Sequence, residues 1–121
     1  SIPLDELKDA GLSMRKAEYL HGLALKFRDE PEYFNNIDTM SDMEVIGLLS
    51  ALKGIGRWTA EMFLMFTLGR MDVFSAGDYG LRKALAKLYG REIEKEEAEA
   101  LSEKWKPYRS VVSHFLWNYL R

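Results

Sequence analysis

The stretch "DVFSAGDYGLRKAL" places one carboxylate, Asp78, at the predicted start of a helix, directly after a loop that contains Gly77. A carboxylate in this position faces free backbone amides and the positive end of the helix dipole, which stabilise its negative charge. Such a group could stabilise positive charge in a reacting substrate, but aspartate is also a common helix N-cap. Taken alone, the position favours the structural role over the catalytic one.

The segment "ALKGIGRWTA", residues 51–60, carries two glycines between two predicted helices. Because only about four residues join these helices, the segment predicts an αα-hairpin. Gly54 would end the first helix in the left-handed conformation, and Gly56 would let the backbone approach a neighbour closely. Free amides at the start of the second helix would then form a phosphate site. The alternative is a helix-ending glycine and a tight turn without a ligand.

Together, "LKGIGRWTA" (residues 52–60) and "FSAGDYGLR" (residues 74–82) strongly resemble the helix–hairpin–helix superfamily of DNA glycosylases. Two further segments, "EKWKPYRSVVSHFLW" (residues 103–117) and "LSMRKAEYLHGLALKF" (residues 12–27), are similar to the DNA-3-methyladenine glycosylase II type, the alkylbase glycosylases. The resemblance implies a hydrolase that removes alkylated, 3-methyladenine-like bases in base excision repair. It also implies that the chain is the C-terminal part of a larger catalytic domain, and that this part alone is weak or inactive as an enzyme.

The resemblance assigns roles to individual residues. Asp78 would be catalytic and would stabilise an oxocarbenium-like sugar as the glycosidic bond breaks. The base pocket would be lined by four side chains, those of Trp58, Met62, Tyr79 and Trp117. The DNA phosphates would be bound by Lys53, Gly54, Gly56 and Arg57. The backbone carbonyls of Leu52 and Ile55, with Ser50 as a further candidate, would bind a Na⁺ or K⁺ ion that bridges to a DNA phosphate.

Departures from the family pattern narrow the chemistry and leave the substrate open. Trp58 stands where bifunctional members carry a lysine that attacks the sugar, which predicts a monofunctional glycosylase with no required cofactor. The implied partner is double-stranded DNA containing damaged bases, with no membrane and no obligate protein partner. Met62 and Gly80 differ from some members, so an oxidised or deaminated base remains an alternative substrate. The sequence also leaves open a non-catalytic helix–hairpin–helix DNA-binding module and a helical protein-interaction domain.

Composition sets limits that agree with these roles. The chain has 121 residues, of which 47% are hydrophobic, enough for one domain with a real core. It contains no cysteine, which excludes disulfides, thiolate zinc sites and a cysteine nucleophile, and fits an intracellular location. The net charge is -2, but residues 51–91 carry 7 basic and 3 acidic side chains. This basic segment contains the hairpin and supports DNA binding weakly.

Helical periodicity dominates the chain and predicts an all-α fold, a compact bundle of about seven short helices in a single domain. Ser41 and Glu44 form a predicted capping box, and Pro31 limits the segment near residues 32–35 to a turn or short helix. Ser13 is a predicted cap, and Pro107 suits the first turn of the last helix. The predicted helices cover about residues 4–10, 14–28, 42–52, 57–68, 78–89 and 94–104, and a last helix begins near Pro107 and carries Val111, Phe115 and Leu116. The hairpin motif lies in about 42–68, and the catalytic loop and helix lie in about 69–89.

Overall fold

A computed structural model of the chain describes residues 14–52 and 54–120. Over these two ranges the chain forms six α-helices and three short 3₁₀ turns, with no β-strand. The helices are α1 (Met14–Asp29), α2 (Asp42–Ser50), α3 (Arg57–Phe66), α4 (Tyr79–Tyr89), α5 (Lys95–Ser102) and α6 (Arg109–Leu120). The predicted all-α fold class is confirmed. The predicted helix at about residues 4–10 and the predicted cap at Ser13 lie outside the described residues.

The chain divides into two compact units, Ser1–Gly69 and Arg70–Arg121. In the first unit, α3 packs against both α1 and α2. Phe63 of α3 is fully buried, and its ring centroid lies 5.7 Å from that of Phe27 and 6.0 Å from that of Phe34. All residues from Thr59 to Met65 are buried, which makes α3 the central helix of this unit.

The capping box at the start of α2 is confirmed. The Ser41 hydroxyl accepts a hydrogen bond from the Glu44 amide at 3.1 Å, and the Glu44 carboxylate accepts one from the Ser41 amide at 2.8 Å. Two amides that have no partner within the helix are thereby satisfied. The start of the helix that leads into the hairpin is therefore set by four consecutive residues of the sequence.

Several predicted helix ends are displaced. α2 ends at Ser50 rather than at residue 52, because the Leu52 amide donates to the Leu49 carbonyl, three residues back, at 3.0 Å. α3 ends at Phe66, two residues before the predicted end. The predicted helix at 94–104 is α5 followed by a 3₁₀ turn, Glu103–Trp105.

The last helix begins at Arg109, so the prediction that Pro107 occupies its first turn is wrong. The position of this start depends on a contact that is distant in sequence. The Arg109 amide donates to the Asp72 carboxylate at 3.3 Å, and the Arg109 guanidinium donates to the same group at 2.8 and 3.2 Å. Asp72 thus supplies the hydrogen-bond acceptor that the first turn of α6 needs.

In the second unit, the loop that leads to α4 is attached to the first turn of α6 through Ser110. Its hydroxyl donates to the Arg70 carbonyl at 2.7 Å and accepts from the Val73 amide at 2.9 Å. Its amide donates to the Met71 carbonyl at 2.9 Å. Ser110 is buried, and its hydroxyl and amide take their hydrogen-bond partners from the backbone of the loop. The loop is therefore fixed just before it delivers Asp78 to the start of α4.

We expect Asp72→Asn to destabilise the fold by about 1–2 kcal/mol, because the half-buried ion pair with Arg109 is lost. Hydrogen bonds from Arg109 hold the pKa of Asp72 below its ordinary value. A lowered folded-state pKa contributes stability that is present above the unfolded-state value, about 3.9, and is lost as the pH falls through the folded-state value. The difference in melting temperature between wild type and variant should therefore be full at pH 7 and should shrink below about pH 4.

Glu97→Gln is the matched control, because it removes a carboxylate that pairs with Arg91 on the exposed surface of the same unit. Exposed pairs contribute less than about 1 kcal/mol, so this variant should melt close to wild type. Equal effects of the two substitutions, or a difference for Asp72→Asn that does not change with pH, would contradict the role given to Asp72.

Candidate functional site

The hairpin of the first unit is a tight turn closed by one hydrogen bond. The Ile55 amide donates to the Leu52 carbonyl at 3.1 Å, and Gly54, the third residue of the turn, has φ +83°. A positive φ at this position favours glycine, because other residues would be strained there. The left-handed conformation predicted for Gly54 is observed, although the residue lies within the turn and not at the end of α2. Lys53 lies outside the described residues.

Gly56 is the N-cap of α3 and has an extended backbone, with φ -97° and ψ -177°. Its conformation does not require glycine, and no atom lies within 4 Å of a Cβ built on it. The prediction that Gly56 allows close approach to a neighbour therefore finds no such neighbour among residues 14–52 and 54–120. Because glycine has no side chain, the N-cap residue itself offers no side-chain acceptor to the first amides of α3.

Three further predicted site residues lie on α3 and differ in exposure. Arg57 is exposed and pairs with the buried carboxylate of Glu61, one turn along the helix, at 3.3 Å. Trp58 is half-buried. Met62 is fully buried and has no exposed surface. Of these side chains, only those of Arg57 and Trp58 present surface that a ligand could contact.

Asp78 is the N-cap of α4 and is 6% exposed. Its Oδ2 atom accepts a hydrogen bond from the Leu81 amide at 2.8 Å, as an N-cap does. The same oxygen accepts a second bond from the indole Nε1–H of Trp117, on α6, at 3.0 Å. A buried carboxylate is costly unless donors satisfy it, and here they come from two different helices.

Gly80 lies between these two side chains. A Cβ built on Gly80 would stand 3.2 Å from Asp78 Oδ2 and 3.2 Å from both Cδ1 and Nε1 of Trp117. Such distances are shorter than ordinary van der Waals contact, so any side chain at residue 80 must displace the carboxylate or the indole. Gly80 thus leaves the space in which Trp117 approaches Asp78.

Two aromatic side chains of the second unit differ in how much of their surface is exposed. Tyr79, the first residue of α4, is 69% exposed, and the ammonium of Lys83 lies 5.9 Å from its ring centroid. Trp117 is only 7% exposed. His114 packs edge-on against Trp117 with centroids 5.7 Å apart, and desolvation lowers the pKa of His114, which favours its neutral form at pH 7.

The structure brings together residues that sequence reasoning treated separately and adds some that it missed. Asp78, Gly80 and Trp117 form one cluster, whereas the sequence predicted Trp117 only as a pocket residue. The attachment of the loop through Asp72 and Ser110 was not anticipated. No local signal could have identified this attachment, because each of these contacts joins residues 37 to 40 positions apart.

Within the described ranges, no three histidine, cysteine, aspartate or glutamate side chains are grouped so that they could hold a metal ion. None of the described helices has the length and apolar character needed to cross a membrane.

Residues 1–107 match the family model described as HhH-GPD superfamily base excision DNA repair protein. The chain is 33% identical over 117 residues to the alkylbase DNA glycosidase-like protein mag2 of Schizosaccharomyces pombe, covering 94% of this chain and 55% of that protein. It is 35% identical over 145 residues to the DNA-3-methyladenine glycosylase of Saccharomyces cerevisiae, covering 93% of this chain and 48% of that protein.

Solved structures give the same result. A DNA-3-methyladenine glycosidase from Bacillus halodurans is 39% identical, with a TM-score of 0.65 over 97% of this chain and 55% of that one. The S. pombe 3-methyladenine DNA glycosylase Mag1, in complex with abasic DNA, is 36% identical, with a TM-score of 0.65 over 68% of this chain and 41% of that one. The chain thus spans about half the length of these relatives. The resemblance found in the sequence is confirmed, and the chain belongs to the HhH-GPD superfamily of base excision DNA repair proteins.

Proposed function

We propose that this protein is a monofunctional DNA glycosylase that hydrolyses the N-glycosidic bond of alkylated bases, of the 3-methyladenine kind. The observation that carries the proposal is the buried Asp78 carboxylate, which two N–H donors hold at the N-terminus of α4. The names of the relatives, alkylbase and 3-methyladenine glycosylases, support the choice of substrate. A protein that acts on genomic DNA would work inside the cell.

In the proposed reaction, the bond between C1′ and the base nitrogen breaks, and its electron pair leaves with the base. The sugar then carries positive charge, which the fixed negative charge of Asp78 stabilises. A water oxygen bonds to C1′, and the proton that it loses passes to the carboxylate or to solvent. A purine alkylated at a ring nitrogen is already cationic and leaves as a neutral base, so the reaction needs little general acid catalysis.

The proposed DNA-binding element is the hairpin, with the first amides of α3 facing a DNA phosphate. Helix N-termini bind anions through free amides and the helix dipole, so the overall charge of -2 does not prevent this contact. Gly54 and Gly56 are both exposed, as a contact with DNA requires. Exposed Arg57 and the neighbouring Lys53 would add charge.

The carbonyls of Leu52 and Ile55 are the proposed ligands of a Na⁺ or K⁺ ion. The Leu52 carbonyl already accepts the turn hydrogen bond, but a carbonyl oxygen has two lone pairs and can accept a second partner. Backbone carbonyl oxygens are suitable ligands for monovalent cations, as in potassium channels. The ion would supply positive charge to the DNA phosphate, and no step of base release passes through it.

A base inside a duplex is inaccessible, so the proposed enzyme must extrude the damaged nucleotide. Aromatic faces attract a cationic base by about 0.5–2 kcal/mol. Tyr79 fits this role best among the predicted pocket residues of the second unit, because it follows Asp78 directly and is mostly exposed. In the first unit, half-buried Trp58 is the corresponding candidate, and buried Met62 would contribute only by shaping the surface around it.

The decisive substitution is Asp78→Asn. The asparagine carbonyl can accept from both the Leu81 amide and the Trp117 indole, so the cap and the fold should persist. The amide has no negative charge, so base release should fall by about 100-fold or more, equivalent to about 2.7 kcal/mol of transition-state stabilisation. Single-turnover base release from methylated duplex DNA, a thermal melt and a binding isotherm should be measured for both proteins.

The same assay tests the function and the substrate. Wild type should release methylated purines, and the strand should break only after alkali treatment, because no lysine attacks the sugar. Parallel duplexes with an oxidised guanine or a uracil test the alternative substrates. Because the chain spans about half the length of its relatives, both proteins should also be assayed within a longer protein that contains this chain. If that longer protein releases no base from any duplex, the proposal is overturned, and Asp78→Asn with normal release and a normal melt would remove Asp78 from the mechanism.

Gly56→Ser tests whether the first amides of α3 bind a DNA phosphate. The substitution adds no backbone strain, because Gly56 has a negative φ. Serine is a good N-cap, and its hydroxyl should accept from the first amides of α3, so the melting temperature should stay equal or rise. The hydroxyl would compete with a DNA phosphate for those amides, so affinity should fall by about tenfold, or about 1.4 kcal/mol. Because phosphate contacts carry no sequence information, intact and abasic duplexes should be affected alike.

Gly47→Ala is the control for this experiment. Gly47 is an exposed glycine within α2, and a Cβ there would meet nothing within 4 Å. This variant should bind DNA as wild type does. An unchanged affinity of the Gly56→Ser protein would show that the amides of α3 do not bind phosphate.

A further inference from the structure

We infer that Trp117 is a positioning residue that holds the Asp78 carboxylate in place, and that Gly80 provides the space for this contact. The inference rests on the proposed function of Asp78. It gives Trp117 a different task from lining a base pocket. The contact involves only residues of the second unit, in α4 and α6.

The contact between Trp117 and Asp78 is buried on both sides. Trp117 is 7% exposed and Asp78 is 6% exposed, with 3.0 Å between Nε1 and Oδ2. An indole N–H is a donor only and is costly to bury without an acceptor, while a buried carboxylate needs donors. Each group therefore satisfies the other, and neither can turn away without losing a buried hydrogen bond.

The two donors fix the direction of the carboxylate as well as its position. The Leu81 amide and the Trp117 indole both bond to Oδ2, one from α4 and the other from α6. With Oδ2 held from two helices, the carboxylate plane cannot rotate freely, so the direction of Oδ1 is set too. Electrostatic catalysis requires such fixed groups, because a charge that must reorient during the reaction stabilises the transition state less.

Gly80 is the third part of this arrangement. It lies in the first turn of α4, where glycine is a poorer helix former than alanine. A Cβ at this residue would be 3.2 Å from the carboxylate oxygen and from two indole atoms, whereas Cβ atoms on the helical glycines Gly22 and Gly47 would meet nothing within 4 Å. The contact between Trp117 and Asp78 thus gives a specific reason for glycine at residue 80.

The burial of Trp117 also argues against a role in stacking on an extruded base. A ring that stacks on an extruded base must expose one face, and Trp117 exposes almost none of its surface. Its neighbour His114 covers part of it by edge-on packing. Tyr79 exposes a far larger surface fraction, 69% against 7%, and is the ring available for stacking in this unit.

A double-mutant cycle with Trp117→Phe and Asp78→Asn tests the inference. Phenylalanine keeps an aromatic ring but has no N–H donor. In the wild-type background, Trp117→Phe should lower the single-turnover rate at saturating protein by about tenfold, the effect of one hydrogen bond to a charged group. The protein concentration at half-maximal rate and the affinity for abasic DNA should change less than about twofold, since phosphate contacts are untouched.

The background with Asp78→Asn distinguishes positioning from stacking. If Trp117 acts through Asp78, adding Trp117→Phe should change the remaining rate less than about twofold, because effects of residues that act as a unit are not additive. If Trp117 stacks on the base, the fold decreases in rate caused by Trp117→Phe and Asp78→Asn should multiply. Full multiplication, or a loss confined to DNA affinity, would overturn the inference.

Gly80→Ala tests the contact between Trp117 and Asp78 by adding a methyl group next to it. The added methyl should displace the carboxylate or the indole and lower the saturating rate by about tenfold, with DNA affinity unchanged. Gly47→Ala is the matched control and should retain the wild-type rate. A Gly80→Ala protein with the wild-type rate would contradict the role given to Gly80.

A spectroscopic measurement tests the contact between Trp117 and Asp78 without depending on base release. In a ¹⁵N–¹H spectrum, the Trp117 indole signal, assigned by its loss in Trp117→Phe, should shift in Asp78→Asn by more than the Trp58 and Trp105 indole signals do. An unmoved Trp117 signal would overturn the contact whether or not base release is observed. The absence of base release by a longer protein that contains this chain would overturn the proposed function, whereas an active wild type with multiplicative losses would overturn only the positioning role.

Discussion

The second unit is organised around a buried negative charge. Asp78 is almost completely removed from water, and an isolated carboxylate in such a place would cost several kcal/mol. Two N–H donors and the N-terminus of α4 offset this cost, and each imposes a requirement on the fold. The helix begins at Tyr79, α6 brings Trp117 alongside, and Gly80 leaves the space for their contact.

The loop before Asp78 meets these requirements through polar contacts with the first turn of α6. Asp72 and Ser110 link residues 70–73 to the helix that also carries Trp117. One helix, α6, thereby fixes the carboxylate in two ways, through the backbone that precedes it and through the indole that donates to it. Such a support keeps a functional group within a narrow range of positions, as electrostatic catalysis requires.

The glycines of the chain serve different physical purposes although they look alike in the sequence. Gly54 supplies a positive φ in the hairpin turn, and Gly90 does so at the end of α4. Gly80 has an ordinary helical backbone and is needed for the space that it leaves. Gly56 has neither a positive φ nor a close neighbour among the residues that the structure describes, so its proposed role is to bind a ligand.

Local rules determined much of this protein from its sequence. Helical periodicity predicted the six described helices, and the residues Ser41 and Glu44 were sufficient to predict a capping box that forms as expected. The hairpin motif and the string around Asp78 identified the family, because these signals lie within short stretches of chain. Most errors were at helix ends, such as the start of α6, where distant partners decide which residues have satisfied hydrogen bonds.

Only the tertiary structure decided which side chains meet. Nothing in the sequence around Trp117 indicates that its N–H bonds to a carboxylate 39 residues earlier. The sequence could place Trp117 on a helix, and family resemblance could bring it near the site. The direction of its indole and its burial depend on how α6 packs against α4. Local propensity is a property of neighbours in the chain, whereas hydrogen-bond pairing between helices is a property of the packed unit, and for that reason the contact of Trp117 with Asp78 appears only in the folded protein.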